Sequence, residues 1–183
     1  MATRFSANSK GIFVGHGMQV RCAVGKGGVI AAADKREGDG GSPIGDWPMR
    51  RVFFRPDRLA CPETGLPTVA LTPTDGWCDQ VGDPLYNQKV TTDYPARHEK
   101  LWRDDHVYDL IVELGYNDDP VLDGHGSAIF MHVARPEYEP TEGCIALDIA
   151  DLKKVLALSS EGSTLAISDA QTFSQQSLYD TRH

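Results

Sequence analysis

Asp123-Gly-His-Gly-Ser-Ala-Ile-Phe-Met-His-Val-Ala-Arg-Pro-Glu-Tyr-Glu-Pro-Thr-Glu-Gly-Cys-Ile-Ala-Leu147 is the segment from which the rest of the chain is best read. Ser127–Val133 is a short, almost wholly apolar run, which predicts a buried strand ending near His132. A polar return loop with two prolines, Pro136 and Pro140, follows it. Then comes Thr141-Glu142-Gly143-Cys144. Just beyond, Asp148 is a candidate N-cap with Asp151 three residues on. Leu152, Val155 and Leu156 then fall at i, i+3 and i+4, and Gly162 lies past the end. This predicts one substantial helix over Ile149–Leu158.

Working outward, the signals are those of strands. Val107–Leu114 alternates in character, and Met49–Arg55 puts Val52 and Phe54 on one face. Gly11–Val14, Met18–Val24, Val29–Ala33 and Ser163–Ile167 are brief apolar or alternating runs. Asp34–Pro48 is rich in Gly and Asp and is expected to be a loop, with Gly38, Gly40 and Gly41 supplying positive φ or close approach. Pro56–Pro84 carries five prolines and is expected to be mostly irregular. Residues 168–183 read as a polar tail. The whole chain, 1–183, is expected to be one mainly β domain with a core over about 11–167.

Composition narrows the function. The chain has 183 residues, long enough for one sizeable core. Its formal charge is −8 and its pI about 5.1, which argues against a general nucleic-acid binder. No run approaches the ~18 apolar residues of a transmembrane helix, so no membrane insertion is expected. Met1–Gly17 has no long apolar stretch of the kind a secretory signal carries. The four cysteines, at 22, 61, 78 and 144, form no Cys-x-x-Cys, so a zinc ribbon is not expected. A single disulfide stays open, with Cys61 and Cys78 the first pair to examine.

Twelve positions separate His132 from Cys144, and the return loop can bring them together. This is a candidate thiol–imidazole pair. A neighbouring imidazole lowers a thiol's pKa from its usual ~8.5 and raises the thiolate fraction. Gly143 removes a side chain just before the thiol and leaves backbone N–H groups to face an oxyanion. The plain alternative is a small buried cysteine and a structurally bonded histidine. Residue types alone leave both open.

Two motifs in this order resemble a known family. Gly126–His132 followed by Pro140-Thr-Glu-Gly-Cys-Ile-Ala-Leu147 is similar to the His…[Ser/Thr]-x-Gly-Cys signature of L,D-transpeptidases with the YkuD-type catalytic domain (the ErfK/YbiS/YcfS/YnhG group). Upstream, Lys35-Arg-Glu-Gly-Asp-Gly-Gly-Ser-Pro-Ile-Gly-Asp-Trp-Pro48 resembles the family's Gly-x-x-x-Thr/Ser-Pro-x-Gly-x-Phe/Trp-Pro element. The sequence departs from the commonest Ser-His-Gly-Cys-x-Arg signature. Glu142 stands for its His and Ala146 for its Arg, as in a compact branch with a short His-to-Cys loop.

The resemblance implies a β-sandwich-like catalytic fold and a set of roles. Cys144 would be the nucleophile and His132 the general base and later acid. The carbonyl of Val133 would orient the imidazole, and the N–H groups of Gly143 and Cys144 would form the oxyanion hole. The implied reaction attacks an amide of a peptidoglycan stem peptide, leaves a thioester, and ends in a 3–3 or 1–3 crosslink when a diaminopimelate amine resolves it. No metal or other cofactor is implied. Carbapenem-type β-lactams would be expected to acylate Cys144. The substrate implies a periplasmic or envelope location, and a monomer is expected.

Substrate contacts are read from composition. Arg97, His98 and Trp102, in a run of cations and an indole, could grip carboxylates and a sugar face; the alternative is a solvated strand edge. Tyr116 and Asn117 precede the catalytic strand and could touch substrate or form a plain turn. Glu142 disfavours a thiolate beside it and is expected either to face the acceptor amine or to point outward. Two other functions compete: a cysteine hydrolase of stem peptides or wall-attached protein on the same fold, and a non-catalytic wall-binding module.

Overall fold

Residues 2–170 are described by the computed structural model. The expected tail lies outside them from position 171 onward. In chain order the strands are β1 (Arg4–Asn8), β2 (Ile12–Gly15), β3 (Met18–Arg21), β4 (Val29–Ala31), β5 (Ser42–Phe54), β6 (Thr68–Ala70), β7 (Asp75–Cys78), β8 (Lys89–Thr91), β9 (His98–Lys100), β10 (Leu110–Leu114), β11 (Phe130–Val133), β12 (Ile145–Leu147) and β13 (Thr164–Ser168). One helix, α1 (Ile149–Ala157), follows β12. The fold is mainly β with that single helix, as the sequence predicts.

The main sheet runs β12-β11-β10-β5-β13-β1-β2-β3. Its long central strand β5 serves two halves: Gly45–Pro48 pair with β13, and Met49–Phe54 pair with β10. The sheet also curls so that its ends meet. Ala23, just past β3, exchanges backbone hydrogen bonds of 2.8 and 3.0 Å with Ala146 of β12. The next contact is Thr141 N–H to the Val24 carbonyl at 3.0 Å. The result is sandwich-like, with Phe5, Phe13, Val52, Phe54, Met131 and Ile145 packed between the layers. The helix closes that core. Its Leu152, Val155 and Leu156 are buried, each contributing about 1.5–3 kcal/mol of apolar burial. Asp148 caps it by accepting from Ala150 N–H at 2.8 Å.

Two expectations are corrected. The segment Asp34–Pro48 is not all loop, because β5 begins at Ser42. The core also begins earlier than residue 11: Phe5 and Ala7 of β1 are fully buried, and β1 pairs in parallel with β13. The open question of a disulfide is settled too, since Cys22, Cys61, Cys78 and Cys144 are all free.

The other face of β12-β11-β10-β5 carries Phe53, Ile111, Phe130 and Cys144. A small sheet, β8-β7-β9, roofs this face. Trp77 of β7 anchors the roof, meeting Phe130 edge-on at 5.1 Å and Phe53 at 6.4 Å. Its indole N–H donates to Asn87 Oδ1 at 3.0 Å. The floor and roof leave a cavity of about 910 Å³ between them, lined by charged and apolar side chains alike.

Candidate active site

Strand register brings His132 and Cys144 to the cavity floor. β11 and β12 are parallel, with Met131 opposite Ile145 and His132 opposite Ala146. Side chains at alternate positions share a face, so Phe130, His132, Cys144 and Ala146 point the same way. Both His132 and Cys144 line the cavity. The two residues are buried, at 7% and 6% exposure.

The Val133 carbonyl accepts from His132 Nδ1 at 2.9 Å. A carbonyl can only accept, so Nδ1 carries the proton and Nε2 is left as the base. The ring is also held by Tyr108, edge-on at 5.3 Å. Burial pushes the imidazole pKa down to about 4 and the Cys144 thiol up to about 12. Burial thus works against the thiolate at Cys144 and against the imidazolium at His132. The thiol itself donates to the Ala128 carbonyl at 3.2 Å, while Sγ accepts from Phe130 N–H at 3.3 Å.

The turn before Cys144 is built by one side chain from each of the two motifs, Thr141 and Ser42. Thr141 Oγ1 donates to the Cys144 carbonyl at 2.6 Å and accepts from Gly143 N–H at 3.1 Å. That engages one of the two donors expected for the oxyanion hole; the Gly143 N–H is already bonded. Gly143 adopts φ +135°, and a Cβ there would stand 2.9 Å from the Gly41 carbonyl oxygen. Ser42, fully buried, donates to the Gly143 carbonyl at 2.8 Å and accepts from Gly25 N–H at 2.9 Å. So the Gly41-Ser42-Pro43 motif docks directly onto the turn before Cys144.

The substrate candidates divide. Arg97, His98 and Glu142 line the cavity. Arg97 is paired with Asp79 at 2.9 Å, and His98 Nδ1 is bonded to the Ala96 carbonyl at 2.8 Å. Glu142 is exposed at the rim and paired with Lys26 at 2.8 Å. Trp102, Tyr116 and Asn117 are not brought to the cavity. Trp102 lies under the Arg55 guanidinium at 3.7 Å. Tyr116 is buried and donates to the His125 carbonyl at 2.6 Å. Asn117 ties its own loop through Leu122 and Gly126.

Other groups on the cavity wall went unforeseen: Lys35, Glu37, Glu99, Arg103, Tyr108 and Arg135. Glu37 accepts from the hydroxyls of Tyr86 and Ser127. Arg103 and Arg135 both bond Asp105, at 2.7 and 3.1 Å, which holds that carboxyl down to about 2. Lys35 and Glu37 lie in the upstream motif, Arg135 in the return loop, and Glu99 and Arg103 in the run of cations around Trp102, but none of these patterns assigned them to the cavity. No cluster suited to a metal ion occurs among the described residues.

Comparison with curated proteins gives no match. Among solved structures, the chain is similar to L,D-transpeptidase 1 of Mycobacterium tuberculosis, with TM-score 0.44 and 12% identity over 91% of this chain and 59% of that one. It is also similar to an L,D-transpeptidase from Mycobacterium smegmatis, with TM-score 0.42 and 13% identity over 90% of this chain and 58% of that one. The chain thus spans about three-fifths of the length of those proteins. The model of the YkuD family, the L,D-transpeptidase catalytic domain, matches residues 8–167, which include both motifs, the β11–β12 pair and the cavity floor. With that match over most of its length, the chain belongs to the YkuD family of L,D-transpeptidase catalytic domains.

Proposed function

We propose that the protein is a cysteine-dependent transpeptidase acting on peptidoglycan stem peptides through a thioester at Cys144. The observation that carries this reading is the placement of His132 and Cys144 on one face of parallel strands at the floor of a large cavity. Because both groups rest neutral, proton transfer from Sγ to Nε2 accompanies attack on the donor carbonyl. The Cys144 N–H is the donor left for the oxyanion once Gly143 serves Thr141. His132 then returns its proton to the departing amine, leaving the thioester. An amine of a second stem resolves it and completes the crosslink. A carbapenem would enter the same path and stop at the acyl-enzyme. The substrate carries with it an envelope location, and the protein is taken to act as a monomer.

Incubation of the purified protein with sacculi, followed by muropeptide profiling, tests this reading. New 3–3 or 1–3 crosslinked dimers, lost in Cys144→Ala, are the expected result. Shortened stems without new crosslinks would mean that water resolves the thioester and that the protein is a hydrolase. An unchanged profile would favour a binding module.

A further inference from the structure

Most charges around the cavity are already matched. Asp79 is paired with Arg97 at 2.9 Å, Glu142 with Lys26 at 2.8 Å and Asp39 with Lys35 at 2.5 Å. Glu37 has two hydroxyl donors on Oε2, and Glu139 stands exposed on the return loop. Glu99 shares with Glu37 and Glu139 the lack of an ion pair among the described residues, but of the three it is the one bonded to the tyrosine that meets His132. It projects from β9 in the roof and lines the same cavity as Cys144. Among the described residues it has no ion-pair partner. Its Oε1 accepts from the Tyr108 hydroxyl at 2.8 Å, which leaves Oε2 for a ligand.

Tyr108 links this carboxylate to the chemistry. It is buried at 6% exposure, and its ring meets His132 edge-on at 5.3 Å. The hydroxyl therefore fixes Glu99 relative to the imidazole. Glu99 is also close enough for its charge to act on the Cys144 thiol, raising its pKa. A carboxylate kept near a nucleophilic thiol works against thiolate formation. It becomes useful once the thiol is acylated and a cation must approach. The second substrate of a transpeptidase is such a cation, because an amine is an ammonium at neutral pH.

We propose that Glu99 selects the acceptor: its free oxygen receives the incoming ammonium and positions the nitrogen over the thioester. This deepens the transpeptidase reading and rests on it. In the step itself, the ammonium gives one proton to Glu99 and its nitrogen lone pair attacks the thioester carbon. The C–N bond forms and the C–S bond breaks. The second nitrogen proton passes through His132 to the departing sulfur, which restores the neutral thiol. Glu99 then releases its proton to solvent. Burial raises the Glu99 carboxyl pKa, which suits a group that must take a proton and give it back. Glu142, exposed and neutralised by Lys26, is less suited to this work.

The test compares crosslinking rate against acceptor concentration, with a stem tripeptide ending in diaminopimelate as acceptor, for the wild-type protein, Glu99→Gln, Glu99→Asp and Glu142→Gln. Glu99→Gln should raise the half-saturating acceptor concentration at least tenfold and send more thioester to hydrolysis. Glu99→Asp should recover part of the loss. An unchanged half-saturating concentration in Glu99→Gln, or a larger shift in Glu142→Gln, would overturn the assignment of Glu99 alone. Absence of crosslinks with the wild-type protein would overturn the transpeptidase reading along with it. A second measurement needs no variant. A quaternary ammonium analogue of the acceptor, which cannot attack, should compete with the acceptor better than its uncharged isostere; equal competition by the two would contradict the role.

Discussion

Burial decides how the reactive pair behaves. Burial pushes the thiol up to about 12 and the imidazole down to about 4, so a neutral resting pair is the expected state at neutral pH. The base must be neutral to work, so activity is lost only when pH falls through the imidazole's depressed value. The rate of Cys144 acylation, measured as kcat/KM against pH, should therefore rise around pH 4 and stay level through neutrality. A half-rise near 6.5, the ordinary imidazole value, would contradict the buried neutral pair. A second prediction concerns Ser42. Its hydroxyl serves the buried Gly25 N–H and the Gly143 carbonyl at once. Ser42→Ala leaves both without a partner and should cost about 2–4 kcal/mol in urea unfolding. Acylation should slow as well, because Gly143 holds the turn beneath Cys144. A loss under 1 kcal/mol would show that the docking of this motif is not what fixes the turn.

At the scale of elements, the helix is the simplest to perturb. Asp148 caps it from outside the cavity, so Asp148→Ala should cost about 1 kcal/mol and lower Tm by roughly 2–4 °C, with acylation of the folded protein unaffected. Calorimetry alongside acylation kinetics separates the two effects. This helix was legible in the sequence because its cap, its apolar spacing and its stop are all local. So were β10 and the second half of β5, where alternation predicted that Val52 and Phe54 share a face. The first half of β5 was not legible. Pro43, Gly45 and Pro48 look like breakers, yet Pro48 joins the sheet through its carbonyl, which accepts from Gly115 N–H at 2.8 Å. β1 was hidden for another reason. Its pairing partner β13 lies about 160 residues away, and only Phe5 among its five residues is a large apolar group. The same split runs through the site. His132 and Cys144 announce themselves by their reactive atoms. Tyr108 and Glu99 acquire roles only when β9 and β11 are folded together, which no local pattern states.

On the scale of the whole molecule, separate stretches of chain come together around one cavity. Residues 130–147 supply the floor, residues 75–100 the roof, and Ser42 at the head of β5 the support beneath the turn that carries Cys144. The curled sheet keeps these parts in register, because the backbone around Ala23 and Val24 is bonded to the strand and turn that carry Cys144. Cysteine exposure gives this architecture a sharp chemical signature. Cys61 is exposed, while Cys22, Cys78 and Cys144 are buried. A simple alkylating reagent should therefore modify Cys61 first. A carbapenem reacts efficiently only where a base and an oxyanion donor assist the thiol. Intact-mass analysis with peptide mapping after carbapenem treatment tests the thioester chemistry most directly. The expected result is a single adduct on Cys144 that is absent in both Cys144→Ala and His132→Ala; no adduct, or one confined to Cys61, would contradict it.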